Sequence, residues 1–200
     1  SEGREGLERR VRHLEELVVQ QIVDPALFDV RPSGPYIGRI SRLAAEKRPG
    51  EFVELARNFP GEQFVMAGDG PMYGQLKSAA PDNLRLIGTI RDFASFFASL
   101  KLFVFPTKDE CCCMSVAMAQ AAGVPVICQD IAPLRETTGG WAVFPASNGF
   151  FALALAGFYA ETTGAYARMA ELARQWARDN FHPDKVIPQW HKLFAELGLQ

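Results

Sequence analysis

The spacing of hydrophobic positions changes along the chain. From Glu2 to about Val19, Leu7, Val11, Leu14 and Leu17 or Val18 recur at three- and four-residue intervals with Arg and Glu between them. That period predicts an amphipathic helix. After Asp24-Pro25 and the Pro-Ser-Gly-Pro stretch at 32–35, the pattern becomes short apolar runs punctuated by Gly, Pro and Asp, and a compact domain is predicted to start there. Five runs, Pro35–Ile40, Gln63–Ala67, Leu84–Ile87, Leu102–Phe105 and Pro125–Cys128, are four to six residues long and rich in β-branched and aromatic types. They read as strands, with Trp141–Phe144 a weaker sixth.

Helical spacing fills the intervals. Phe52, Leu55, Ala56 and Phe59 form one such face, then Met72 to Ala79, then Phe93, Phe96, Phe97 and Leu100, then Val116 to Ala122. From Phe150 onward only helix is predicted, through Leu153, Leu155 and Phe158, Tyr166 to Ala177, and Val186, Trp190, Leu193 and Phe194. Near-continuous apolar strands alternating with amphipathic helices imply an α/β fold: a Rossmann-like, doubly wound parallel sheet of about six strands, covered on both faces. The domain division that follows is an N-terminal helix and linker over 1–33 and one α/β domain over 34–200.

Composition narrows the class. Of 200 residues, 48% are hydrophobic and 22% charged, with a net charge of −2, which describes a globular chain and gives no nucleic-acid footprint. The apolar runs are broken well before the length needed to span a bilayer, and the N-terminus is charged rather than signal-like, so a cytoplasmic setting is the default expectation. The cysteines, Cys111, Cys112, Cys113 and Cys128, offer neither a disulfide framework nor paired C-x-x-C spacing, and His13, His182 and His191 stand at no ligand spacing to them. They read as small apolar groups, and no metal site is expected.

In an open parallel sheet a ligand lies outside the carboxyl ends of the strands, so the segments just after each strand are the candidates. The first strand is followed by Arg42, Lys47 and Arg48, three cations in seven residues. The second runs into Gly68-Asp-Gly-Pro71, the third into Gly88-Thr89, and the fourth into Glu110, Cys111, Cys112, Cys113, Met114 and Ser115 before a helix. Cations at a strand end opposite a helix N-terminus would hold a diphosphate from two sides. Taken singly, the same groups read as solvated loop charges.

The order of these segments is more specific than any one of them. Ser41-Arg42-Leu43 with Lys47, Ala67-Gly-Asp-Gly-Pro71, Asn83-Leu-Arg-Leu-Ile-Gly88, Phe103-Val-Phe-Pro106, Glu110 and Ala121-Ala-Gly-Val-Pro-Val126 together resemble the donor domain of GT-B glycosyltransferases. The closest likeness is to the large retaining family often called family 4, over about residues 18–197, and Val23-Asp-Pro-Ala-Leu-Phe28 resembles that family's interdomain linker. The resemblance implies that Arg42 and Lys47 contact the donor diphosphate and that Ile87, Gly88 and Thr89 border the nucleobase. It implies that Glu110 and the loop Cys111, Cys112, Cys113, Met114 and Ser115 face the sugar and phosphates. The donor would be a UDP-, GDP- or ADP-sugar, with fixed cations in place of a metal.

The chain departs from the pattern in places. Met118 stands where the second of the family's paired glutamates is expected, and a thioether cannot accept from ribose hydroxyls as a carboxylate does. Three cysteines replace the usual small, glycine-containing loop, and Gln120 and Lys101 replace apolar and acidic residues. The N-terminal domain that holds the acceptor in this architecture has no counterpart in these 200 residues, so the same parent chain or a partner subunit would supply it. The alternative reading is a non-catalytic nucleotide-binding or interaction module of the same fold. A homodimer through the N-terminal apolar stripe is a further expectation.

Overall fold

A computed structural model of the chain describes residues 20–145, 151–160 and 164–197. The helix expected over 2–19, and with it the dimer contact, lies outside the described residues. Five parallel strands, β1 (Tyr36–Ile40), β2 (Gln63–Ala67), β3 (Leu84–Gly88), β4 (Leu100–Phe105) and β5 (Val126–Cys128), form one sheet in the order β3-β2-β1-β4-β5. The helices are α1 (Pro49–Asn58), α2 (Tyr73–Ala79), α3 (Phe93–Ala98), α4 (Met114–Ala121), α5 (Ala132–Thr138), α6 (Phe151–Ala160), α7 (Ala165–Phe181) and α8 (Pro183–Glu196).

Side chains alternate across each strand, so both faces of the sheet are apolar. In β4, Leu102 and Val104 join Phe52, Leu55 and Phe64 under α1, while Phe103 and Phe105 join Phe97, Val116 and Ala117 under α3 and α4. Each fully buried phenylalanine contributes on the order of 2–3 kcal/mol by leaving water. The segment before β1 belongs to the same packing: Val23, Leu27 and Phe28 are buried, and the Arg174 guanidinium of α7 donates to the carbonyls of Phe28, Val30 and Ala122.

Among the described residues the sheet has five strands, against about six expected, and the weaker sixth run is the one that does not join as a full strand. Trp141–Phe144 makes a single parallel bridge between Val143 and Ile127, because Gly139 and Gly140 sit at positive φ just before it and Pro145 just after it has no N–H to extend a ladder. Leu100, read above as helical, is the first residue of β4 and pairs with Tyr36. Helix α5 was not expected; its first turn carries Pro133 and Gly139 closes it in the left-handed conformation.

Candidate functional site

The chain travels outward in one direction from β1 through β2 to β3, and in the other from β4 to β5. The order therefore reverses between β1 and β4, and the loops leaving the carboxyl ends of those two strands diverge around a crevice. A cleft of about 340 Å³ lies there. Ile40, Ser41, Arg42 and Lys47 form one wall, Glu110, Cys112 and Cys113 the other, and Met114, Ser115 and Met118 bring in the amino end of α4, with Phe93 and Phe105 completing the lining.

Glycines let the second strand's loop support the first. Leu43 N–H donates to Asp69 O at 2.8 Å, Met72 N–H donates to Leu43 O at 3.0 Å, and Gly68, at φ +121°, approaches so closely that a Cβ would stand 1.9 Å from Ser41 O. The Gly68-Asp-Gly-Pro71 turn thus buttresses the segment that carries Arg42.

The two charged loops are tied together. Lys47 Nζ pairs with Glu110 Oε1 at 2.7 Å and donates to Asp109 O at 3.1 Å, and Lys108 N–H donates to Glu46 O at 2.9 Å. Thr107 Oγ1 donates to the same Glu110 oxygen at 3.0 Å. The Glu110 side chain is only 9% exposed and that of Lys47 22%, so the pair is partly shielded from solvent screening. Arg42 is exposed at the rim and has no ion-pair partner among the described residues.

The Cys112, Cys113 and Cys128 thiols are not poised as nucleophiles. Burial, followed by the nearby Glu110 charge, pushes the Cys113 thiol up to about 12, and burial also raises Cys112 and Cys128. A neutral thiol is a poor nucleophile and a poor metal ligand. Cys113 lies buried at the N-cap of α4 with its sulfur 3.5 Å from Ser115 Oγ, Cys112 is half-buried on the cleft wall, and Cys111 is exposed outside the lining. Among the described residues, no group of three or more His, Cys, Asp and Glu side chains is placed to hold a metal ion, and no helix is long and apolar enough to cross a membrane.

The structure therefore brings together Arg42, Lys47, Glu110, Cys112, Cys113, Met114 and Ser115. It does not bring Ile87, Gly88 and Thr89 into that cleft. They lie at the end of the edge strand β3, where Ile87 lines a separate recess of about 410 Å³ with Tyr36, Arg85 and Arg91. Another cleft of about 390 Å³, between α1 and α6, carries Glu51 and Glu54 over apolar residues and no cation, which suits no phosphate. Two departures noted in the sequence are absorbed by packing. Buried Gln120 donates to Thr138 O at 3.1 Å and Trp141 O at 3.2 Å, and Lys101 pairs with Glu62.

One residue that sequence reasoning passed over stands beneath the cleft. Arg39, in the central strand β1, has no exposed surface, and its guanidinium reaches Ser41 and the backbone of Lys47 and Arg48. Its signal in the sequence was a charge inside the apolar run Tyr36–Ile40.

The family model of glycosyl transferases group 1 matches residues 34–160. The chain belongs to that family. Relatives include a GDP-mannose-dependent alpha-mannosyltransferase of Mycolicibacterium smegmatis, 33% identical over 162 residues, covering 72% of this chain and 41% of the relative. Another enzyme of the same name from Corynebacterium glutamicum is 38% identical over 103 residues, covering 48% of this chain and 24% of that one. The chain thus spans less than half the length of the curated relatives it matches. Among solved structures, Anabaena HepE in complex with UDP-glucose aligns with a TM-score of 0.76 at 16% identity over 91% of this chain and 57% of that one. Sucrose-phosphate synthase from Thermosynechococcus elongatus aligns at 0.72 with 19% identity, over 90% of this chain and 50% of that one. At those identities the likeness concerns the fold, and it makes this chain one Rossmann-like unit of the GT-B type.

Proposed function

We propose that this group 1 family chain is the donor-binding half of a retaining glycosyltransferase. It would take a sugar from a nucleotide diphosphate sugar and deliver it to an acceptor held by a second domain. The observation that carries the reading is the convergence of Arg42, Lys47, Glu110 and the amino end of α4 in one cleft. When the bond between sugar and diphosphate breaks, negative charge accumulates on the leaving phosphate. Fixed cations and helix N–H groups aimed at that oxygen stabilise the transition state more than the ground state.

The hydrogen-bond inventory fits this assignment. An ammonium has three N–H donors, of which Lys47 uses one on Glu110 and one on Asp109 O, leaving a third for a phosphate oxygen. Glu110 Oε1 is occupied by Lys47 and Thr107, whereas Oε2 has no partner among the described residues and is available to a sugar hydroxyl. Ile87, Gly88 and Thr89 would border the base from the β3 side, and the cations would do the work of a divalent metal. The names of the relatives favour GDP-mannose over UDP- and ADP-sugars as the donor.

Calorimetric titration of the chain with GDP, UDP and ADP tests the reading. GDP should bind most tightly, and Arg42→Ala should weaken it at least about tenfold, the loss of one charge-assisted phosphate contact. Equal affinity in the variant would remove Arg42 from the site. No heat with any nucleotide would favour a non-catalytic module of the same fold, the reading to which Met118 and Cys112 in the cleft wall lend support.

A further inference from the structure

We infer that Arg39 is a positioning residue, which sets the affinity of the cleft for a diphosphate by fixing the turn that presents Lys47. The inference rests on the donor-binding reading above and extends it to a residue that touches no ligand.

Arg39 lies in β1 with a strand on either side and 0% of its surface exposed. A buried guanidinium is expensive, and in a strand interior an apolar side chain would fill the same space without that cost. Three of its contacts converge on one loop. Nη2 donates to Lys47 O at 2.9 Å and to Ser41 Oγ at 2.7 Å, and Nη1 donates to Arg48 O at 3.3 Å. Ser41 Oγ passes the connection on, donating to Arg42 O at 3.0 Å. Both cations of the cleft are therefore reached from this one side chain through the backbone that carries them.

The turn needs such a brace. Arg48 is the one non-glycine residue at positive φ among the described residues, at φ +45°. A side chain in that conformation is unfavourable unless the surroundings enforce it. Arg39 supplies the enforcement by binding the carbonyls on both sides of the Arg48 Cα, those of Lys47 and Arg48, while the Phe52 and Phe105 rings hold its guanidinium from 5.8 Å each. Glu51, Cys113 and Glu110 are the titratable side chains that share its surroundings. Burial lowers its pKa to about 10, so it stays charged at neutral pH.

The test is a double-mutant cycle on the whole chain, read by calorimetry with GDP. Arg39→Lys keeps the charge and loses the fork geometry, so a purely electrostatic role predicts little change. We expect at least a tenfold loss for Arg39→Lys and for Arg39→Gln. In a Lys47→Ala background the same substitutions should cost only about threefold, the part that reaches Arg42 through Ser41, because the turn no longer presents the Lys47 ammonium. Ser41→Ala, which removes one contact at the surface, should cost about threefold in the wild-type background.

Each result decides something. Wild-type chain that binds none of GDP, UDP and ADP sinks the donor reading and this inference with it. Wild type that binds, with Arg39→Lys within twofold of it, sinks only the inference. An equal loss with and without Lys47 also sinks it, since the effect would then not pass through the turn. Should circular dichroism find the Arg39 variants unfolded, Ser41→Ala carries the test, and unchanged affinity in that variant counts against the brace.

Discussion

Met118 puts a thioether on the cleft wall beside Cys113 and Ser115. A carboxylate there would accept from vicinal ribose hydroxyls, and a hydrogen bond to a charged group is worth roughly 1.5–3 kcal/mol net. Met118→Glu should therefore tighten GDP about tenfold while leaving inorganic pyrophosphate, which has no ribose, within twofold of the wild type in the same titration. GDP affinity that does not move would put the ribose elsewhere. Arg39 and Lys101 show where residue-scale reading from sequence stops. Each is a cation inside an apolar run, yet Arg39 is fully buried and Lys101 is about 30% exposed and paired with Glu62. In a sheet covered on both faces, period-2 alternation does not separate inside from outside. Depth along the strand does, and that is a property of the assembled fold.

The supporting elements set the cleft as much as its lining does. The amphipathic periods of α1 and α4 and the five strand runs were legible because each buries a continuous apolar surface, a local property of composition. The Gly68-Asp-Gly-Pro71 turn was legible as a turn from its glycines and proline, but its task of holding Ser41 and Leu43 was not, since that contact joins segments about 27 residues apart. Gly68→Ala would force a Cβ to 1.9 Å from Ser41 O at φ +121°. It should cost at least about 2 kcal/mol in urea unfolding and weaken GDP in parallel, because Ser41 and Arg42 would have to shift. Full stability with unchanged binding would show that the turn does not support the site. The sixth strand failed for a related reason: four apolar residues satisfied the pattern, but flanking glycines and a proline left only Val143 in the ladder.

For the molecule as a whole, the buried thiols make stability depend on pH. Burial holds Cys113 up at about 12 against an ordinary 9.0, and raises Cys128 in the same direction. A group whose pKa is raised by folding stabilises the fold below its unfolded value and loses that contribution as pH climbs toward the folded one. Urea midpoints should accordingly fall as pH rises from about 9 toward about 12, and Cys113→Ala should fall less. An equal fall in the variant would assign the effect to other groups. The alternation of short apolar strands with amphipathic helices determined the α/β class, the parallel sheet and the segments after each strand where a ligand would sit, since hydrophobic burial is written in local periodicity. Strand order, the reversal between β1 and β4, the Lys47–Glu110 pair and the grip of Arg39 on its turn were decided only by the tertiary structure. Each depends on contacts between residues far apart in the chain, and local spacing carries no record of which distant partner a charge will meet.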